Sequence, residues 1–316
     1  MQIHGSPRAT DPWPDAVSER ERAFNDFAAD AEFANTLVDD FIDENGFRAA
    51  LTAKRISIKG DSSEYWKVLG DFARPRIEYG VSMSNITPHE ALMTNFLLSS
   101  PLALGMQLQA SRAQRDRTIM STAQYGKLLE SISEYRDILR EVLSTYKDTN
   151  IADVEYEIKS ACERRFSVDK YDKAMRSFAY TSTAGGRVEV CAEDTWEAMG
   201  IDFSRATPAQ DVVGVDYYVE FNDLLIPINI KNRERFASTD GRRFSFSPRG
   251  VALLLFPLNE YVDVENNSSR LTPHAIQRLS PIMHSDLQAI SEEITLRGRI
   301  PDVRPIVGLS AVRPKF

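Results

Sequence analysis

A chain of 316 residues is long enough to bury a substantial core, as one large domain or two ordinary ones. With 42% hydrophobic and 27% charged residues it has the balance of a soluble globular protein, and no apolar run approaches the ~20 residues of a membrane span. The formal charge of -8 argues against a sequence-indifferent coat for nucleic acid, which is usually basic, but it leaves room for a local basic surface.

The opening residues, Met1 to Asp15, lack the apolar core of an export signal. Cys162 and Cys191 are far apart and suggest neither a disulfide framework nor a zinc site, so a reducing cytoplasm is the expected location. The histidines are scattered without metal-ligand spacing. Residues 15 to 165 read as mostly helical. Helical patterns cover Ala16 to Leu37, Val38 to Ala53 and Tyr65 to Phe72, with Arg76 to Met83 read as extended. Thr87-Pro88-His89-Glu90 has the form of a capping box with proline at the first helical position, and Pro101 is the expected stop. From Ser121 onward, Tyr125, Leu128, Ile132, Tyr135, Leu139 and Val142 belong to a strong amphipathic stripe, suited to core packing or a dimer face. Asp153 to Arg165 continues helical.

Thr181 to Gly200, TSTAGGRVEVCAEDTWEAMG, reads as a small-residue loop that enters a helix. Val188, Cys191, Ala192, Thr195 and Met199 can share one face, and Gly200 supplies a left-handed stop. Glu189 and Glu193 lie one turn apart on it. Further on, Val212 to Arg235 contains two β-rich runs flanking Asn222-Asp223, a two-residue hairpin turn. Alternation puts Ile226, Ile228 and Ile230 on a buried face and Asn229 with Lys231 on the other. If the turn is right, 221 opposes 224 and, counting outward, Asp216 opposes Asn229, with cross-strand neighbours ~5 Å apart.

A carboxylate, an amide oxygen and an ammonium on one edge make chemical sense together. Hard oxygen ligands suit Mg²⁺, and a neighbouring lysine can orient an attacking water and steady a charged transition state. Asp216, twelve residues, then Asn229-Ile230-Lys231 resembles the core motif of the PD-(D/E)xK nuclease superfamily, with Val215 in place of the usual proline and Asn229 in place of the usual acid. The preceding helix, entered through a small-residue loop and ended by a glycine, resembles the helix that carries that superfamily's additional glutamate. The resemblance implies that Asp216 is the main Mg²⁺ ligand, that Asn229 and the Ile230 carbonyl add oxygens, and that Lys231 activates water. It implies that Glu189 holds a metal-bound water or a second ion, with Glu193 in reserve.

After the hairpin, Phe236 to Arg249 reads as a long basic loop or ribbon, Val251 to Pro257 as a buried central strand, and Thr272-Pro273 as a helix start. Leu287 to Leu296 reads as another helix and Val303 to Val312 as a last strand. Arg233, Arg235, Arg242, Arg243 and Arg249 are candidate DNA contacts. The expected fold is α/β, a mixed sheet flanked by helices, with a helical region over 1–165 for recognition or dimerisation and a catalytic core over 166–316. Size and the large helical part look most like a type II restriction endonuclease. The resemblance then implies Mg²⁺-dependent, site-specific cleavage of double-stranded DNA by a homodimer. The alternatives are a structure-specific repair or junction-resolving nuclease of the same fold, and a non-catalytic interaction protein using the 121–146 stripe.

Overall fold

Helix starts follow local capping chemistry. Thr87 accepts the Glu90 N–H while the Glu90 side chain accepts the Thr87 N–H, and Ser121 and Gln124 repeat the arrangement. The computed structural model describes residues 16–56, 63–116, 118, 120–164, 166, 168–212, 214–231, 243–256 and 267–297. Up to residue 163 the described chain is helical: α1 (Ala16–Asp43), α2 (Asn45–Ala53), α3 (Ser63–Ser82), α4 (Pro88–Arg115), α5 (Thr122–Thr145) and α6 (Ile151–Glu163). There follow α7 (Val168–Ala198), β1 (Phe203–Arg205), α8 (Pro208–Asp211), β2 (Tyr217–Phe221), β3 (Leu224–Lys231), β4 (Phe244–Phe246), β5 (Ala252–Leu255) and α9 (Pro273–Arg297). The protein is thus mixed α/β, with a small five-stranded sheet flanked by helices.

Several helices run on where the sequence pattern predicts a break. Arg76 to Met83, read as extended, lies almost wholly in α3, which continues through Pro75; α4 continues through Pro101, and α9 through Pro281. A proline inside a helix forfeits a hydrogen bond and costs about 3 kcal/mol. Burial on both sides of each proline offsets this: Leu69, Ala73 and Ile77 in α3, Leu97 and Leu104 in α4, Leu279 and Met283 in α9 are all core residues. The helix read separately at Leu287 to Leu296 is therefore the second half of α9. Most of the apolar middle of α4 is also buried, although this helix is long and apolar enough to cross a membrane.

The largest departure is α7. The segment Thr181 to Gly186, expected as a loop, lies inside one continuous helix. Of its two glycines, Gly186 is used in packing: a Cβ there would lie 2.8 Å from Leu143 Cδ1, so the absence of a side chain lets α7 approach α5 closely, whereas Gly185 has open space where a Cβ would go. The first half of α7 packs Met175, Phe178 and Ala179 into the helical core, and the second half packs Val188, Ala192 and Trp196 against the sheet. The helix ends as expected at Gly200 (φ 66°), with Ile201 N–H bonded to Trp196 O and Gly200 N–H to Glu197 O, a Schellman motif.

The sheet order is β1-β2-β3-β5-β4, with β3 and β5 parallel and the other pairs antiparallel. Asn222 and Asp223 both take positive φ (50° and 60°), the geometry of a type I′ turn. The register agrees with the count from the turn: Phe221 pairs with Leu224 and Tyr217 with Ile228. The buried strand expected at Val251 is β5, interior to the sheet. Of the loop or ribbon expected at 236–249, residues 236–242 lie outside the described residues and 244–246 form strand β4; the expected strand at 303–312 also lies outside them.

Candidate functional site

Asp216 sits one residue before β2. Its N–H donates to Ile228 O (2.8 Å) and its carbonyl accepts from Ala206 N–H (2.9 Å), so both neighbouring strands hold its backbone. Continuing the β2–β3 register by one step brings its side chain across from Asn229, and the side chains meet: Asn229 Nδ2 donates to Asp216 Oδ1 at 3.2 Å. The same Nδ2 donates to Gly214 O at 3.0 Å, and Ile230 N–H donates to Asp216 Oδ2 at 2.7 Å. An amide nitrogen placed between two acceptors fixes the side chain's orientation and leaves Asn229 Oδ1 buried without a hydrogen-bond partner. Asn229 is only 6% exposed, as buried as the isoleucines beside it, so this face of the hairpin is covered and not the open edge that alternation predicts.

Lys231 follows on the same face as Asn229, and its carbonyl accepts from Phe256 N–H (2.8 Å). Burial pushes the Asp216 carboxyl up to about 6, against the pull of the Lys231 charge and the Ile230 hydrogen bond. Asp211, at the end of α8, adds to the upward push. Glu189 approaches from α7. Burial pushes it up to about 7; Arg140 pulls it down, and the charge of Asp216 pushes it up again. The Asp216 charge thus reaches Glu189.

The two glutamates of α7 have different surroundings. Glu193 is held by Arg205 through two hydrogen bonds (2.8 and 2.6 Å) and by the Tyr217 hydroxyl (2.6 Å). Glu189 accepts from Arg140 Nη1 at 2.6 Å, and Arg140 also bonds Asp137 and the Tyr217 hydroxyl. Glu193 is therefore enclosed by partners, whereas Glu189 is bonded by Arg140 and is raised by the charge of Asp216.

Sequence reasoning missed three residues here: Arg136 and Arg140 on α5, and Asp211. Arg136 bonds the Asp211 carboxylate at 3.3 and 3.5 Å. The available signal was a pair of arginines one turn apart flanking the apolar stripe of α5, the second of them beside Leu139. Of the arginines nominated as DNA contacts, Arg243 and Arg249 lie among the described residues. Arg243 is tied to Asp286 of α9 (2.9 and 3.1 Å) and to Ile282 O. Arg249 is exposed in the turn between β4 and β5. Because β5 runs parallel to β3 with Ile228 beside Ala252 and Lys231 beside Leu255, that turn lies at the opposite end of the sheet from Lys231. Arg233, Arg235 and Arg242 lie outside the described residues.

Among the described residues no three His, Cys, Asp or Glu side chains form a ready-made metal cage. The donors present fit a hydrated Mg²⁺, which needs only one or two carboxylates and keeps several waters. They are the Asp216 carboxylate and the unpartnered buried Oδ1 of Asn229, with Glu189 close enough to sense the Asp216 charge. What Ile230 brings to Asp216 is its N–H. Comparisons of the chain with protein-family models, curated proteins and solved structures find no match in any of the three.

Proposed function

We propose that this chain is a Mg²⁺-dependent endonuclease with a restriction-endonuclease-like core, cutting double-stranded DNA at a specific site as a homodimer, in the manner of type II restriction enzymes. The observation that carries the reading is the corner where Asp216, Asn229, Ile230 and Lys231 meet, with a buried amide oxygen left without a partner. Buried polar atoms are nearly always satisfied, so an exception calls for an explanation such as an ion, a ligand or a water; Asn229 Oδ1 is one of several in this chain, and it is the one beside the Asp216 carboxylate. The Asp216–Glu189 pair, both carboxyls raised, is a second sign of a site organised around charge.

In this reading Asp216 and Asn229 bind the ion, with Glu189 supporting it from α7. The ion supplies Lewis-acid polarisation of the scissile phosphate when bound. The Ile230 N–H holds Asp216 in place, so the carboxylate needs no reorientation as substrate arrives. Lys231, on the Asn229 face, orients the attacking water and offsets negative charge as the leaving oxygen departs. The net charge of -8 makes such an enzyme dependent on local cations.

The test is incubation of the purified chain with long duplex DNA of mixed sequence in Mg²⁺, beside branched DNA and beside the same reactions in EDTA. Discrete fragments that require Mg²⁺ are the expected result. Cutting confined to branched DNA moves the reading to a junction-resolving or repair nuclease. No cutting of any nucleic acid removes the enzyme reading in favour of an interaction protein. Lys231→Ala should lower cleavage by roughly 10²–10⁴-fold while duplex binding in Ca²⁺ persists; full cutting by that variant refutes the assignment of Lys231.

A further inference from the structure

We infer that Arg136 grips a backbone phosphate of the substrate at the mouth of this site, an assignment that rests on the endonuclease reading above. Asp211, Asp216 and Glu189 gather negative charge here, and each of the other two carboxyls is pushed up by Asp211. A polyanion can approach such a site only if a cation meets it. Two arginines reach it from α5, one turn apart, and their surroundings differ sharply. Arg140 is 5% exposed and committed to Glu189, Asp137 and the Tyr217 hydroxyl. Arg136 is 57% exposed, and Asp211 holds it through contacts of 3.3 and 3.5 Å, at the long end of hydrogen bonding.

Arg136 is nonetheless part of the site's architecture. Asp211 O accepts the Gly214 N–H (2.8 Å), and Gly214 O accepts Asn229 Nδ2 (3.0 Å), so its partner is two hydrogen bonds from the asparagine opposite Asp216. The Arg136 charge lowers both Glu189 and Asp216. A long ion pair whose arginine faces solvent, though its carboxylate is half-buried, contributes modestly to stability, so the guanidinium can exchange a carboxylate for a phosphate. Its planar donor fork suits either anion. In this assignment α5 forms a wall of the site and Asp211 parks the arginine until substrate displaces it.

The experiment is equilibrium binding of a linear plasmid duplex in Ca²⁺ across a salt series, with wild type, Arg136→Ala, Arg136→Lys and Asp211→Asn. Loss of one charge-assisted contact should weaken binding roughly tenfold and reduce the salt slope by about one, and lysine should restore most of it. Asp211→Asn should bind as well as wild type or better. If Arg136→Ala binds like wild type, or if Asp211→Asn reproduces the loss, Arg136 only braces α8 and the assignment is overturned. Those results are distinct from failure of the endonuclease reading, in which wild type itself neither binds nor cuts duplex DNA, and which would take this assignment with it.

Discussion

The ionic knot around Glu193 and the corner around Asp216 are built from the same residue types, on adjoining stretches of α7 and the hairpin, yet they are completed differently. In the knot, each Glu193 oxygen has a short partner from Arg205, with Tyr217 and Trp196 packed beside it. At the corner the Asn229 amide has an unpartnered oxygen, the carboxyls of Asp216 and Glu189 are raised, and Arg136 is held at long range. In the knot the charges compensate one another, which fixes structure, although Arg140 Nε and Trp196 Nε1 beside Glu193 are also buried without a hydrogen-bond partner. An incompletely compensated set invites a ligand. Burial alone does not separate them, since Asn229 and Glu193 are equally buried, at 6% each.

Breaking the knot should have the largest effect on stability. Arg140→Met leaves Glu189, Asp137 and part of the Glu193 environment without their buried cation, and removal of one member of a buried pair costs about 3–5 kcal/mol. Urea unfolding measures it. The matching change one turn away, Arg136→Ala, should cost about 1 kcal/mol or less, because the arginine of this pair is exposed and its contacts are long. Equal losses from the two would erase the distinction between the regions.

A smaller effect tests the corner by pH. The Asp216 carboxyl is pushed up to about 6 from an ordinary value of 3.8, so between these values the folded chain holds more protons than the unfolded one. The stability tied to that proton is fully present below about pH 4 and is lost as pH rises through about 6. Asp216→Asn carries no such proton. In EDTA the stability of wild type relative to this variant should therefore fall by on the order of 1–3 kcal/mol from pH 4 to 7. A flat difference across that range would show that Asp216 is not strained by burial.

The smallest effect concerns the helix that joins the regions. Gly185→Ala meets nothing within 4 Å and should stabilise α7 by about 0.5–1 kcal/mol. Gly186→Ala gains the same propensity but presses on Leu143, a buried residue, and should be less stable than Gly185→Ala by about 1 kcal/mol or more. Thermal unfolding of the two variants side by side distinguishes a continuous helix from the loop that the residue types suggest.

Much of the hairpin was legible in the chain because its determinants are local. Asn222-Asp223 tolerates positive φ at both positions, the turn sets the register, and the register alone puts Asp216 opposite Asn229. Gly200 and the Thr87 capping box are of the same kind. Where the arginines beyond the hairpin fall could not be read from the chain, because closeness in sequence says nothing of which end of a sheet a turn occupies; Arg249 lies at the end away from Lys231 and Arg243 is bonded to Asp286.

Residue types and their spacing by themselves determined the helical first half, the turn, the strand alternation and the identity of one acid, one amide and one lysine on a shared face. Only tertiary structure decided that α7 would run unbroken through Gly185 and Gly186, that α3, α4 and α9 would absorb their prolines, and that Arg140 would claim Glu189 while leaving Arg136 at the surface. The physical reason is the range of the forces involved. Caps and turns are satisfied within four or five residues, whereas the burial that offsets a proline, and the partner that a buried charge must find, come from segments dozens of residues away.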